Sequence, residues 1–83
     1  MAEERIGVVS TYFAKIGVVG IDLEATLSVG DTIQVKGHTT DFEQKIESLQ
    51  IERNGVEEAG AGASVGTKVA ERCRSGDVVY RVT

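Results

Sequence analysis

The stretch Asp41-Phe42-Glu43-Gln44-Lys45-Ile46-Glu47-Ser48-Leu49-Gln50-Ile51-Glu52-Arg53-Asn54 decides the fold, because it supports two secondary structures. As a helix it opens on Asp41 with Gln44 three residues later, the spacing of a capping box, and Gly55 stands where a helix would stop. Phe42, Ile46 and Leu49 then share one stripe, but Ile51 falls on the opposite side among charges. As strands, Leu49 and Ile51 share one face and Ile46 is out of phase. A bulge or bend between Ile46 and Leu49 repairs that. The residues of the stretch leave the two readings level.

Outward from it, ten glycines and no proline punctuate the chain, with Gly and Asp between runs rich in Val, Ile, Thr and Tyr. Ile6 to Phe13 reads as a first strand. Lys15 to Leu23 is a second, in which Val19, Ile21 and Leu23 alternate with Gly20, Asp22 and Glu24. Thr32 to Lys36 places Ile33 and Val35 on one face, and Thr67 to Ala70 and Val78 to Val82 supply two more. If residues 41–54 are also extended, the chain is an all-β meander too short for two large sheets. A small closed antiparallel barrel is then the economical answer, since closure removes exposed edges. Residues 6–83 read as one domain and residues 1–5 as a flexible N-terminus.

Two turns share a signature: Gly30-Asp31 and Gly76-Asp77 each precede a strand. Glycine permits a positive φ there and the Asp carboxylate caps nearby backbone N–H groups, so both read as structural. Gly66, in Ala63-Ser64-Val65-Gly66, is read as a third structural turn position.

Composition bounds the function without naming it. The 83 residues are 41% hydrophobic and 27% charged, with a net charge of -4. That balance argues against a broad nucleic acid or anionic lipid coat, which needs a dominant basic face. No apolar run is long enough to span a membrane, and Met1-Ala2-Glu3-Glu4 has no signal-peptide character. The one cysteine, Cys73, makes no internal disulfide and no metal cluster, which fits a reducing cytoplasm.

Several residues invite a chemical role. His38, with Thr39 beside it in the polar loop Gly37 to Asp41, reads as a ligand contact or as a His-Asp pair with Asp41; the plainer reading is a capped turn. Cys73 lies between Arg72 and Arg74, whose charges would favour a thiolate, but without a resolving cysteine a small buried side chain is the better reading. Arg72, Arg74, Lys68 and Arg81 form the densest basic set, suited to RNA or to a protein partner, against the plainer alternative of a solvated rim. Tyr12 and Phe13 are strand neighbours, so only one of them points outward. Glu43, Glu47, Glu52, Glu57 and Glu58 make the middle of the chain acidic, by default a solvated exterior and on the sharper reading a face for a basic protein partner.

Taken in order, Gly7-Val8-Val9, Leu27-Ser28-Val29-Gly30-Asp31-Thr32-Ile33-Gln34-Val35, Ile46 to Ile51, Ala63 to Gly66 and Arg74-Ser75-Gly76-Asp77-Val78-Val79 resemble domain II of translational GTPases, the family of elongation factor Tu and initiation factor two. The chain is also similar to small archaeal elongation-factor-like proteins around Gly37 to Phe42, and to the C-terminal barrel of collagenase-like peptidases around Phe42 to Leu49. The first resemblance implies that residues 41–54 are strands, and that the fold is all-β, a closed barrel of six or seven antiparallel strands. It also implies a stand-alone, non-enzymatic translation module that meets tRNA, the ribosome or a translation protein. The alternative is a protein–protein accessory module of an RNA-modifying or other enzyme. No phosphate loop of the Gly-x-x-x-x-Gly-Lys-Ser/Thr type occurs, so neither nucleotide binding nor GTP hydrolysis is expected, and no cofactor or metal.

Overall fold

The structure, a computed structural model, describes residues 3–52 and 54–82. Ten strands follow one another: β1 (Glu3–Phe13), β2 (Val18–Leu23), β3 (Leu27–Ser28), β4 (Thr32–Lys36), β5 (Asp41–Lys45), β6 (Leu49–Ile51), β7 (Asn54–Val56), β8 (Glu58–Ala59), β9 (Ser64–Lys68) and β10 (Val78–Val82). There is no helix among the described residues, which closes the helical reading of Asp41 to Asn54. Eight strands form an antiparallel sheet in the order β5-β4-β10-β1-β2-β9-β6-β7, and β3 pairs with β8 apart from it. The all-β expectation holds. Strand pairing does not close the large sheet, whose edges are β5 and β7, and the strands outnumber the six or seven expected. The surplus comes from pieces of two or three residues, too short for alternation to register in a sequence.

Alternation explains the longer strands. Ile33 and Val35 of β4 and Val79 of β10 face inward with no exposure, joining Val19 and Ile21 of β2 and Val65 of β9 in one core. In the deciding stretch Phe42 and Ile46 point inward, and the phase then flips so that Leu49 is buried too. The flip falls in Ile46 to Ser48, outside any strand, where the Ile46 N–H donates to the Asp31 carbonyl at 2.7 Å. β1 runs eleven residues by bending twice. Its register skips Ile6 against β10 and Ser10 against β2, each skip a bulge that turns the strand around the core.

Three expectations change. Glu3, Glu4 and Arg5 are not a loose N-terminus: they pair with Val82, Arg81 and Tyr80, and Glu3 holds Lys36 at 2.9 Å. Met1 and Ala2 lie outside the described residues. The second strand starts at Val18 and not Lys15, because Gly17 at φ 65° and Ile16 donate their N–H groups back to the Phe13 carbonyl in a turn. Gly66 is not a turn residue either; it sits within β9, paired with Gly20 of β2.

Candidate functional site

Most of the residues singled out by type are occupied with structure. Gly30 and Gly76 take φ of 98° and 96°. The carboxylates that follow them act alike: Asp31 accepts the Ser28 N–H and Asp77 accepts the Arg74 N–H, each at 2.9 Å. Arg81 is committed to an ion pair with Glu4, a hydrogen bond to the Thr26 carbonyl at 2.6 Å and Asp31 at 3.8 Å. Arg72 and Arg74 are exposed on the loop between β9 and β10, while Lys68 projects from the end of β9, so the basic set is divided. His38 and Thr39 are exposed at the β4–β5 turn, where the Gly37 N–H closes onto the Thr40 carbonyl at 2.7 Å. Cys73 is buried, and its thiol is pushed up to about 11 by burial first, then by the charges of Asp77 and Glu71. The flanking arginines do not make it a thiolate. Among the described residues no three His, Cys, Asp or Glu side chains converge to hold a metal ion, and no helix is long and apolar enough to cross a membrane.

A trough runs over the outer face of β1, β2, β9 and β6. Strand register builds it. Thr11 pairs with Gly20, Gly20 with Gly66, and Gly66 with Gln50, so two glycines stand side by side where side chains would otherwise cover the sheet. The next row is Phe13, Val18 and Lys68. Phe13 and Ile16, 52% and 61% exposed, rise along one side, whereas Tyr12 turns inward against the core. The depression, about 530 Å³, is lined by Phe13, Ile16, Val18 and the two glycines together with Gln50 and Glu52. Through Ile16, Val18, Gln50 and Gly66 it continues into a second of about 340 Å³ that reaches Lys68. Lys68 and Ser48 border a third, about 360 Å³, walled by Gln44, Lys45 and Glu47.

The glycine floor is not dictated by the fold at both positions. A Cβ at Gly20 would come within 3.0 Å of Thr11 Cγ2 and 3.2 Å of Ser10 Oγ, a tight fit. At Gly66 it would meet only Val18 Cγ1, at an ordinary 3.5 Å. An interior strand glycine weakens a sheet and often marks a bulge, a tight bend or close approach by a ligand or another backbone; the β2–β9 register runs without a shift through Gly66. Gln50 is exposed and lines the depression over that floor, its amide both a donor and an acceptor. Ser10 and Ser64 are engaged within the domain, with the Gly20 carbonyl at 3.2 Å and with Asp22 at 2.7 Å. The arrangement suits binding of an extended chain: bare backbone below, an apolar wall, and polar groups opposite. Sequence reasoning by residue type passed over it. The available signal was Gly20 and Gly66 each at the outward phase of a strand.

No family model matches the chain. It is 41% identical over 77 residues, 92% of its length, to an uncharacterized protease of Methanocaldococcus jannaschii, and 36% identical over 72 residues, 84% of its length, to a collagenase of Porphyromonas gingivalis. The chain spans about a fifth of those relatives, 19% and 20% of their lengths. In fold it matches the C-terminal domain of a protein assigned to the U32 peptidases, from Geobacillus thermoleovorans, with a TM-score of 0.91 at 22% identity over 96% of this chain and 93% of that one. A selenomethionine form of that domain gives 0.87 at 23% identity, over 92% of this chain and 96% of that one. These relatives overturn the translation-factor assignment and the expectation of a module outside any enzyme. The names these relatives carry are protease, collagenase and U32 peptidase. Short motifs of the Gly-Asp-before-a-strand kind convey a turn and not an activity.

Proposed function

We propose that this chain is a β-domain of a collagenase-like peptidase, and that it binds an extended polypeptide along the trough over β1, β2, β9 and β6. The observation that carries the reading is the Gly20–Gly66 floor beside exposed Phe13 and Ile16. An apolar wall left open to water next to uncovered backbone suits a partner that supplies its own side chains and main chain. The names of the relatives, protease and collagenase, support polypeptide as the ligand class. Two finer points belong to the same reading. The Gln44 side chain spans from edge strand β5 to the Lys68 carbonyl and the Ala70 N–H, each at 2.8 Å, which supports a sheet rolled toward barrel closure. The unpaired, buried Cys73 supports a reducing compartment such as the cytoplasm.

The test is retention of the 83-residue chain on immobilised gelatin beside an albumin control. Selective retention is expected, and a Phe13→Ser, Ile16→Ser double variant loses about tenfold or more in affinity, as interface anchors do. Absence of gelatin retention, or full retention by the double variant with its fold intact, overturns the reading.

A further inference from the structure

The two ends of the trough differ in charge, and its middle differs in polarity from both. Glu52 lines one end and Lys68 the other, with Gly66, Val18 and Ile16 between them. Beyond Lys68 the groove adds Lys45 and Glu47, so lysines outnumber carboxylates there. At the Glu52 end the nearby Asp22 carboxylate is already taken up by Ser64. Glu52 holds a φ of 51° at the turn between β6 and β7.

Resting on the polypeptide-binding reading above, we infer that the trough is a subsite for one bulky apolar side chain, Leu or Phe in size, of a polypeptide whose acidic flank lies toward Lys68 and whose basic flank lies toward Glu52. The space directly above Gly66 is what the side chain fills, since a Cβ there would meet nothing but Val18 Cγ1 within 4 Å. An Ala at that place leaves Phe13, Ile16 and Val18 wet, and a charged side chain is desolvated against them without a partner. The flanking charges select by opposite sign at each end, which a uniformly acidic or basic peptide cannot satisfy.

Fluorescence anisotropy with dye-labelled nonapeptides tests this. Their centres are Phe, Leu, Ala or Gly, and their flanks are uniformly Asp, uniformly Lys, or Asp on one side and Lys on the other in both orders. Phe- and Leu-centred peptides are expected to bind about tenfold tighter than Ala-centred ones. The better mixed-charge order exceeds both uniform peptides by about threefold at low salt, and Glu52→Gln narrows that margin. Gly66→Ala weakens the Phe-centred peptide several-fold and Gly66→Val about tenfold or more, while the thermal midpoint of Gly66→Ala stays level or rises. Gelatin retention with a flat peptide panel, or with Gly66→Ala and Gly66→Val both binding at full affinity, overturns the subsite and leaves polypeptide binding standing. Equal binding of mixed and uniform flanks overturns the charge assignment. Loss of gelatin retention by the unaltered chain removes the reading beneath both.

Discussion

A Cβ on Gly37 would lie 1.9 Å from Oδ1 of Asp77, a buried carboxylate whose other oxygen caps the Arg74 N–H. Gly37→Ala therefore pushes Asp77 off its turn, and the expected cost is about 1–3 kcal/mol, the range for overpacking that also uncouples a buried polar group. Gly60→Ala is the control, since a Cβ there meets nothing within 4 Å, and it is expected to be neutral or stabilising by up to about 1 kcal/mol. Urea midpoints compare the two; equal midpoints contradict the steric account. The sequence displayed Gly76-Asp77 as a turn but gave no sign that Gly37 faces it, because that contact joins residues far apart in the chain. Cys73 yields a second expectation. Its folded thiol titrates at about 11, above the ordinary 9.0, so the unfolded chain releases its proton first as pH rises. The contribution is fully present below pH about 9 and is lost as pH climbs through about 11. The stability gap between wild type and Cys73→Ala should narrow over that window, and thiol labelling of the native protein at pH 8 should be slow against the unfolded chain. Rapid native labelling would sink the account.

Strand pairs reveal where local preference and tertiary register disagree. In the β6–β7 hairpin Ile51 pairs with Asn54 and Gln50 with Gly55, so the Asn-Gly dipeptide most suited to a two-residue turn lies inside β7. Register is fixed from outside the hairpin: the Val29 N–H donates to the Glu57 carbonyl at 2.8 Å, and Leu27 pairs with Ala59 of β8. Glu52 consequently sits at φ 51°. Glu52→Asn, a residue that tolerates the left-handed region, is expected to stabilise the domain by about 0.5–1 kcal/mol while reducing preference for a basic peptide flank. Thermal and chemical denaturation check the first part, and an unchanged or lowered midpoint refutes it. The same conflict explains why Asp41 to Asn54 stood undecided between helix and strand. Its strands are five and three residues long and the phase changes between them, leaving no period to read, whereas Thr32 to Lys36 showed its inward face plainly.

At the scale of the whole molecule, the all-β class and most of the core were legible because alternating Val, Ile and Leu carry it. The trough was not, since it exists only once β1, β2, β9 and β6 are laid side by side and two glycines meet. The tie between edge strand β5 and the end of β9 was equally hidden, and the Gln44 side chain makes it. β5 is an edge strand, yet the Gln44 amide donates to the Lys68 carbonyl and accepts from the Ala70 N–H, both at 2.8 Å. A single amide thereby does for two backbone groups what a neighbouring strand would do, and it shields an edge that otherwise invites pairing with another chain. Gln44→Ala removes both bonds. Because the site is exposed, water replaces part of the loss, so the expected cost is about 1–2 kcal/mol, near the net worth of two such bonds. Gln44→Glu keeps an acceptor for Ala70 but sets a carboxylate oxygen against the Lys68 carbonyl, and it is expected to destabilise as well. Amide exchange separates a local opening from global loss. At Ala70 exchange should quicken in both variants by more than the stability change accounts for, while Val35, between β10 and β5, follows global unfolding. Size-exclusion chromatography should then show concentration-dependent association of Gln44→Ala through the freed β5 edge. Unchanged protection at Ala70 together with a monomeric variant would mean that the edge is guarded by something other than Gln44.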